Sequence, residues 1–516
     1  MANDAPPAKA AAQPRAEIDG RTRAVPAAPA QAAAQPRAGI DGATRVILAA
    51  NLAVTGIVLL LMMLLGLLLR LGQSGWIELE PDRFYQVMTV HGVGMVGIAA
   101  LGGVSVMWYF LGRYVRLNRA ALVANLALFL LGVVMILGAD FLGGFAGAWT
   151  FLYPLPAHSA GAWEMGAAAW HLFGLLLVGV GFLLVCLEVG RALIVGYGGI
   201  GRALGWPQLF GLSTADPPPP TVIASAMVTI VTTAALVGGA AIIILSLVNL
   251  FIPAFEIDPL LAKNIIYFFG HVFINATIYM TVIAVYEVLP QYAGRPWKTS
   301  RVFLAAWTGS TTMVLIIFPH HLLMDLVMPK WSMVMGQILS YTNSFPVLVV
   351  TGLGALAIVH RSNMRWDLIS GLLFLSMFGW MAGVIPAVID ATIVMNSVLH
   401  NTLWVPGHFH FYLLLGVVPM IFGFMFHVTR GRERQPAAAS PFDLWAACFY
   451  AVAGLGFVAM FLYAGRHSVP RRWAVHLPEW IVYDQIASVM AIGVLLAATL
   501  FVGRFLVRMP RMLAAE

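Results

Sequence analysis

Residues 403–412 read LWVPGHFHFY, with His408 and His410 two positions apart inside a long apolar stretch. Successive residues of an α-helix turn by about 100°, so positions i and i+2 face roughly opposite sides of one helix. Both imidazoles then lie deep in a hydrocarbon-like setting, where a polar side chain is costly unless it is paired or ligating. A helix that sends one histidine to each side is suited to hold a metal centre on each side. Taken singly, either histidine is better explained as bonded to a neighbouring carbonyl. The histidines elsewhere in the chain reverse that reading.

Composition fixes the setting. The chain is 60% hydrophobic and only 10% charged, with a mean hydropathy of +0.87, far from the values of soluble domains. Twelve apolar runs are long enough to cross a bilayer, over residues 44–72, 86–111, 120–142, 165–195, 222–252, 261–290, 302–325, 333–359, 368–393, 401–428, 443–464 and 480–507. Each must close its own backbone hydrogen bonds as an α-helix. The expectation is an all-α polytopic membrane protein of twelve transmembrane helices.

Charge sets orientation. With twelve spans, both termini and every even-to-odd loop share one side. That side holds 22 of the 29 basic residues and the other side 7, so the basic side is cytoplasmic. The net charge of +7 follows from this bias and does not point to nucleic acid. Residues 1–43 differ in kind: they are rich in Ala, Pro and Gln, and AAAQPRAEIDGRTR recurs 22 residues later as AAAQPRAGIDGATR. Such composition predicts a disordered cytoplasmic tail ahead of a transmembrane domain over 44–516. It lacks the order of a cleaved signal peptide. Cys186 and Cys448 lie in separate spans without a CxxC, which predicts core packing and excludes a cysteine-built metal centre in the chain.

His91 stands in MTVHGVGMVG of the second span, His271 in FFGHVFINATIY of the sixth, and His320 with His321 in IIFPHHLLMD of the seventh. Spans two, six and ten run inward and span seven outward. Six histidines from four helices therefore converge in the outer half of the membrane. Separate satisfied core residues would not gather in one layer, and imidazole suits copper and haem iron.

These residues, in this order and spacing, resemble the catalytic subunit (subunit I) of the haem–copper oxidase superfamily over about residues 44 to 507. The span-two histidine, the GH of span six, the HH pair and the HNTLWVPGHFH segment carry the likeness. The resemblance implies that His91 and His410 are the axial ligands of a low-spin haem and His408 the proximal ligand of a high-spin haem. It implies that His271, His320 and His321 ligate the neighbouring copper ion. Arg471 and Arg472 in VPRR match the paired arginines that hold haem propionates, on a face otherwise poor in basic residues. His400 stands near the mouth of span ten, either at a propionate or water outlet or as a simple cap.

Within the superfamily the chain looks closest to B-type cytochrome c oxidases and their nitric-oxide-reducing relatives. Span six lacks the glutamate of A-type members, since Val272, Phe273 and Ile274 follow His271, and span eight lacks their lysine. A polar row through Tyr286, Thr308, Ser310, Thr311, Thr312, Ser340, Thr342 and Asn343 is the candidate proton path. The competing reading has each hydroxyl bonding its own helix carbonyl.

Position 275 is the main departure. Oxygen-reducing A- and B-type members carry there a tyrosine bonded to the first copper histidine, which supplies an electron and a proton. This chain has Asn275, and no tyrosine lies in 302–328, where C-type members keep theirs. Tyr267, one turn before His271, is the candidate stand-in. Asn275 favours reduction of NO to N2O over the alternative, a cytochrome c oxidase reducing O2 to water with proton pumping. A transporter, or a cytochrome that only transfers electrons, leaves the histidine layer unexplained. The resemblance further implies a respiratory enzyme in the cytoplasmic membrane of a bacterium or archaeon, with metal sites in the outer half. A cupredoxin- or cytochrome-type subunit II receives electrons from cytochrome c or quinol.

Overall fold

The computed structural model describes residues 40–430 and 440–514, all helices and connecting loops without a named strand among them. Eleven helices are long and apolar enough to cross a membrane: α1 Gly42–Gln73, α2 Pro81–Leu111, α3 Arg119–Leu142, α4 Met165–Tyr197, α5 Pro220–Phe251, α6 Pro259–Ala293, α7 Arg301–Leu322, α9 Leu368–Asp390, α10 Trp404–Val428, α11 Pro441–Arg466 and α12 Ile481–Ala514. The run expected at 333–359, α8, is helical as Lys330–Pro346, a π segment Val347–Gly352 and Leu353–Val359. It is the one that departs from expectation. Pro346 cannot donate to the helix ladder, and the rod divides into pieces each shorter than a span. The chain is an integral membrane protein.

Most of the tail expected over 1–43 lies outside the described residues, but its end does not. Asp41 accepts from the Thr44 amide at 2.9 Å and caps α1, so helix begins at Gly42. Of the two cysteines, Cys186 is buried as expected, whereas Cys448 is exposed on the outward face of α11. Its neighbours Trp445 and Val452 are exposed as well.

Burial ranks the spans. The most apolar windows of α6 and α10 are 83% and 89% buried, while those of the other spans range from 28% to 61%. The two most buried helices are thus the ones carrying His271, His408 and His410. In α10 the helix directly after the histidine pair runs as a π segment, Leu413–Val417. Pro419 has no amide proton to give to the Leu415 carbonyl, and such gaps in the ladder are where π-bulges form. Gly379 of α9 lies against that carbonyl, where a Cβ would come within 2.1 Å of it. The Tyr450 hydroxyl donates to the next carbonyl, Leu414, at 2.6 Å.

Two loops are stitched together at the N-terminal end of α10. The Leu403 amide donates to Val469 O and the Arg471 amide to Asn401 O, both at 2.8 Å, with a bridge between Thr402 and Pro470. This short antiparallel contact brings Arg471 and Arg472 over the histidine layer.

Candidate metal centre

His91 of α2 faces His410 of α10. Their rings are 6.4 Å apart between centroids and 14° from parallel. Nδ1 of His91 bonds the Met62 carbonyl and Nδ1 of His410 the Pro406 carbonyl, each at 2.7 Å. A carbonyl only accepts, so each Nδ1 carries the proton and each Nε2 keeps a free lone pair. A ring centroid sits about 1.1 Å from its nitrogens, and metal–imidazole bonds are about 2.0 Å, so two rings sharing one metal stand about 6.2 Å apart. The pair fits axial ligation of a haem iron. Gly66 makes room for it, because a Cβ there would lie 2.6 Å from His91 Cε1. Phe457 and Phe461 pack on the His410 ring.

The second group is a triad. Ring nitrogens of His271, His320 and His321 all lie within 4.8 Å of one another. His271 Nδ1 is 3.1 Å from His321 Nε2. Ser340 Oγ sits 2.8 Å from His320 Nδ1 and donates to Gly336 O, which leaves His320 Nε2 for a metal. Adjacent histidines can face one centre because Pro319 ends the regular helix and Phe318–Leu322 tightens into a 3-10 turn. Three imidazole nitrogens without a carboxylate or thiolate suit copper. Tyr267 stacks on His321 at 5.5 Å and 14°. Asn275 donates to His271 O at 2.8 Å and its amide nitrogen lies 3.2 Å from His271 Nε2. A neutral amide thus borders the ring.

His408 lies on the triad's side of α10, interacting electrostatically with His271, His320 and His321. Among the described residues its Nδ1 finds no hydrogen-bond partner; Asp390 at the end of α9 is 3.6 Å away, beyond bonding distance. All six histidines, with Tyr267, Asn275, Ser340, Asn343, Asp390, His400, Arg471 and Arg472, line one cavity of about 790 Å³. Arg471 reaches the Asn401 side-chain oxygen at 2.8 Å and lies within reach of the Tyr267 hydroxyl. The Arg472 guanidinium sits 4.9 Å over the Trp149 ring. Burial lowers the pKa of both arginines, Arg472 to about 10, and both stay cationic at neutral pH. Two cations lining a cavity of this kind fit carboxylate substituents such as haem propionates.

The sequence reading missed Asp390, although an ionisable residue ending an apolar span is a signal in itself. It also missed Arg70, paired with Asp484 at 2.8 Å and lining the same cavity. His476 bonds the other Asp484 oxygen at 2.6 Å.

The hydroxyl row inward of the site is not continuous among the described hydrogen bonds. Tyr286 pairs with Thr351 at 3.1 Å, and Ser310 with Tyr279 at 2.9 Å. Thr308 accepts from Trp206 on an exposed face. Thr311, Thr312 and Thr342 donate to carbonyls of their own helices, and Thr312 is exposed. A hydroxyl in an apolar helix finds its nearest acceptor one turn back, and that local bond wins here.

Comparison with known proteins identifies a family for the chain. A family model described as cytochrome C and quinol oxidase polypeptide I matches residues 46–495. The cytochrome c oxidase subunit 1 of Thermus thermophilus is 24% identical over 272 residues, 48% of this chain and 47% of that protein. The subunit 1 of Cereibacter sphaeroides is 24% identical over 241 residues, 45% and 41% of the two chains. The cytochrome c oxidase polypeptide 1 of Halobacterium salinarum is 24% identical over 243 residues, 45% and 39%. The chain therefore spans less than half the length of the curated relatives it matches. A solved cryo-EM structure described as a heme-copper terminal oxidase dimer superposes with a TM-score of 0.72 at 20% identity, covering 92% of this chain and 85% of that one.

Proposed function

The chain belongs to the cytochrome c and quinol oxidase polypeptide I family, and on that premise we propose that it is the catalytic subunit of a respiratory haem–copper oxidoreductase that reduces NO to N2O. His91 and His410 hold the low-spin haem, His408 the high-spin haem, and His271, His320 and His321 the copper ion. Arg471 and Arg472 hold propionates. When bound, these groups supply electrons one at a time and a pair of metals at which a diatomic substrate is reduced. With α8 counted as a span, both termini are cytoplasmic and the metal layer lies in the outer half. A cupredoxin- or cytochrome-type subunit II, fed by cytochrome c or quinol, delivers the electrons.

The observation that carries the choice of substrate is Asn275 beside the His271 ring. Splitting O2 takes four electrons at once. The two metals give three between them, so a neighbouring group must give one more. An amide has no accessible oxidised state and no proton to lose near neutral pH. Joining two NO molecules into N2O and water takes two electrons and two protons, which the metals and solvent can provide. The Asn275 amide, adjacent to the triad, can also donate to a nitrogen–oxygen species.

The second reading, O2 reduction with proton pumping, follows the names of the curated relatives. It requires another phenol, and Tyr267, stacked on His321, is the candidate among the described residues. Anaerobic incubation of the reduced, purified protein with NO tests the proposal. One N2O is expected per two NO consumed, with a CO-binding haem in the reduced spectrum. Absence of N2O from a preparation containing both haems and copper would refute it.

A further inference from the structure

Two of the three triad histidines sit on the least supported element of the site. His271 is carried by the regular helix α6, whereas His320 and His321 lie on the 3-10 turn Phe318–Leu322. Such turns have poorer hydrogen bonds than an α-helix. This one runs directly into residues 323–329, which form turns and bends but no helix. Something outside the turn must set how far its histidines stand from His271.

One flank is held by α8. A Cβ on Gly336 would lie 2.9 Å from the His320 nitrogen, so the two backbones touch, and Ser340 reaches the His320 ring. The opposite flank is held by an ion pair, Lys263 Nζ to Asp325 Oδ2 at 2.5 Å. Lys263 is the fifth residue of α6, four residues before Tyr267 and eight before His271, so the three share one helix face. Asp325 follows His321 by four residues. Its other carboxylate oxygen accepts from the Val327 amide at 3.2 Å, and its backbone bonds Leu322 and Met328. The Asn264 amide lies 3.5 Å from Met328 Sδ beside it. The Asp325 side chain is only 9% exposed. A carboxylate so enclosed is stable when paired and costly when left alone.

We propose that the Lys263–Asp325 ion pair is a positioning latch for the metal triad, holding the loop that carries His320 and His321 against the helix that carries His271. The latch rests on the reading of the triad as a copper site. Both residues act through the histidines and touch no metal. Metal–ligand distances tolerate about ±0.2 Å, so a loop freed on one flank loosens the site. Outer-shell changes of this kind typically cost about 10- to 100-fold in metal affinity.

The test is a chelator chase on the purified full-length protein carrying both haems and copper. Wild type is compared with Asp325→Ala, Lys263→Met and the double exchange Lys263→Asp/Asp325→Lys, with copper per chain followed over time. Each single variant is expected to lose copper about tenfold faster or more, while both haem spectra stay as in wild type. The double exchange is expected to recover most of the retention, which a side chain needed only for folding would not do. Equal retention by Asp325→Ala and wild type, or a double exchange as leaky as the single variants, would overturn the latch. If a single variant fails to assemble, the double exchange alone decides, by its recovery or loss of copper. Wild-type protein that binds both haems but no copper would instead refute the metal reading beneath it.

Discussion

Replacing Gly66 with alanine adds one methyl group and should remove the low-spin haem. The new Cβ would stand 2.6 Å from His91 Cε1, 3.0 Å from Nδ1 and 3.2 Å from Nε2, whereas ordinary contact begins near 3.4 Å. About 0.8 Å must therefore be found by the ring or by α1, roughly four times the distance tolerance of a metal–ligand bond. The ring cannot swing aside freely, because its Nδ1 is bonded at 2.7 Å to Met62 O on α1. Intrinsic propensity runs the other way, since alanine in a helix interior is favoured over glycine by about 1 kcal/mol. A loss is thus attributable to the clash and not to a weakened helix. Optical and electron paramagnetic resonance spectra of the purified variant are the assay. The six-coordinate low-spin signal should be lost or converted to high spin, with CO binding at the other haem retained. An unchanged low-spin spectrum in Gly66→Ala would refute the assignment of His91 as a ligand held against α1.

The remaining ligand assignments divide by helix face. His410→Ala or His91→Ala should abolish the low-spin signal, whereas His408→Ala should spare it and eliminate CO binding; the opposite pattern would reverse the two faces of α10. Ser340→Ala removes the hydroxyl 2.8 Å from His320 Nδ1 and should lower copper affinity by about 10- to 100-fold, read by metal titration with both haem spectra intact. His320→Ala and His321→Ala set the zero of that scale, stopping turnover with both haems still bound.

The motif LWVPGHFHFY was legible because a helix has a fixed period, and the period alone puts His408 and His410 on different faces. The likeness of the histidine pattern to a known family then ordered the other four. Interhelix neighbours were not legible. Gly66 reads as a weak point in an apolar span until His91 is seen against it. Asp390 closes α9 eighteen residues before His408, and nothing in the spacing says that it faces that ring. The hydroxyl row was legible as residues but not as a set of direct hydrogen bonds. A threonine in an apolar helix has an acceptor of its own one turn back, so polar residues facing inward along three spans need not join. In α8 the apolar run was read as one span, and Pro346 with the π segment after it was not read as a break. The phenol question was visible in the sequence, because a single residue, Asn275, stands where the family's oxygen-reducing members are expected to carry a tyrosine.

That question also offers the most direct test. NO and O2 consumption should be measured on one preparation, with one electron donor, in wild type and in Tyr267→Phe. NO should be converted rapidly to N2O, with O2 reduced slowly or with release of partly reduced oxygen, and NO turnover should change little in Tyr267→Phe. Fast, complete four-electron reduction of O2 to water by the wild-type protein would contradict NO reduction as the function, and loss of that activity in Tyr267→Phe would identify Tyr267 as the phenol that supplies the fourth electron.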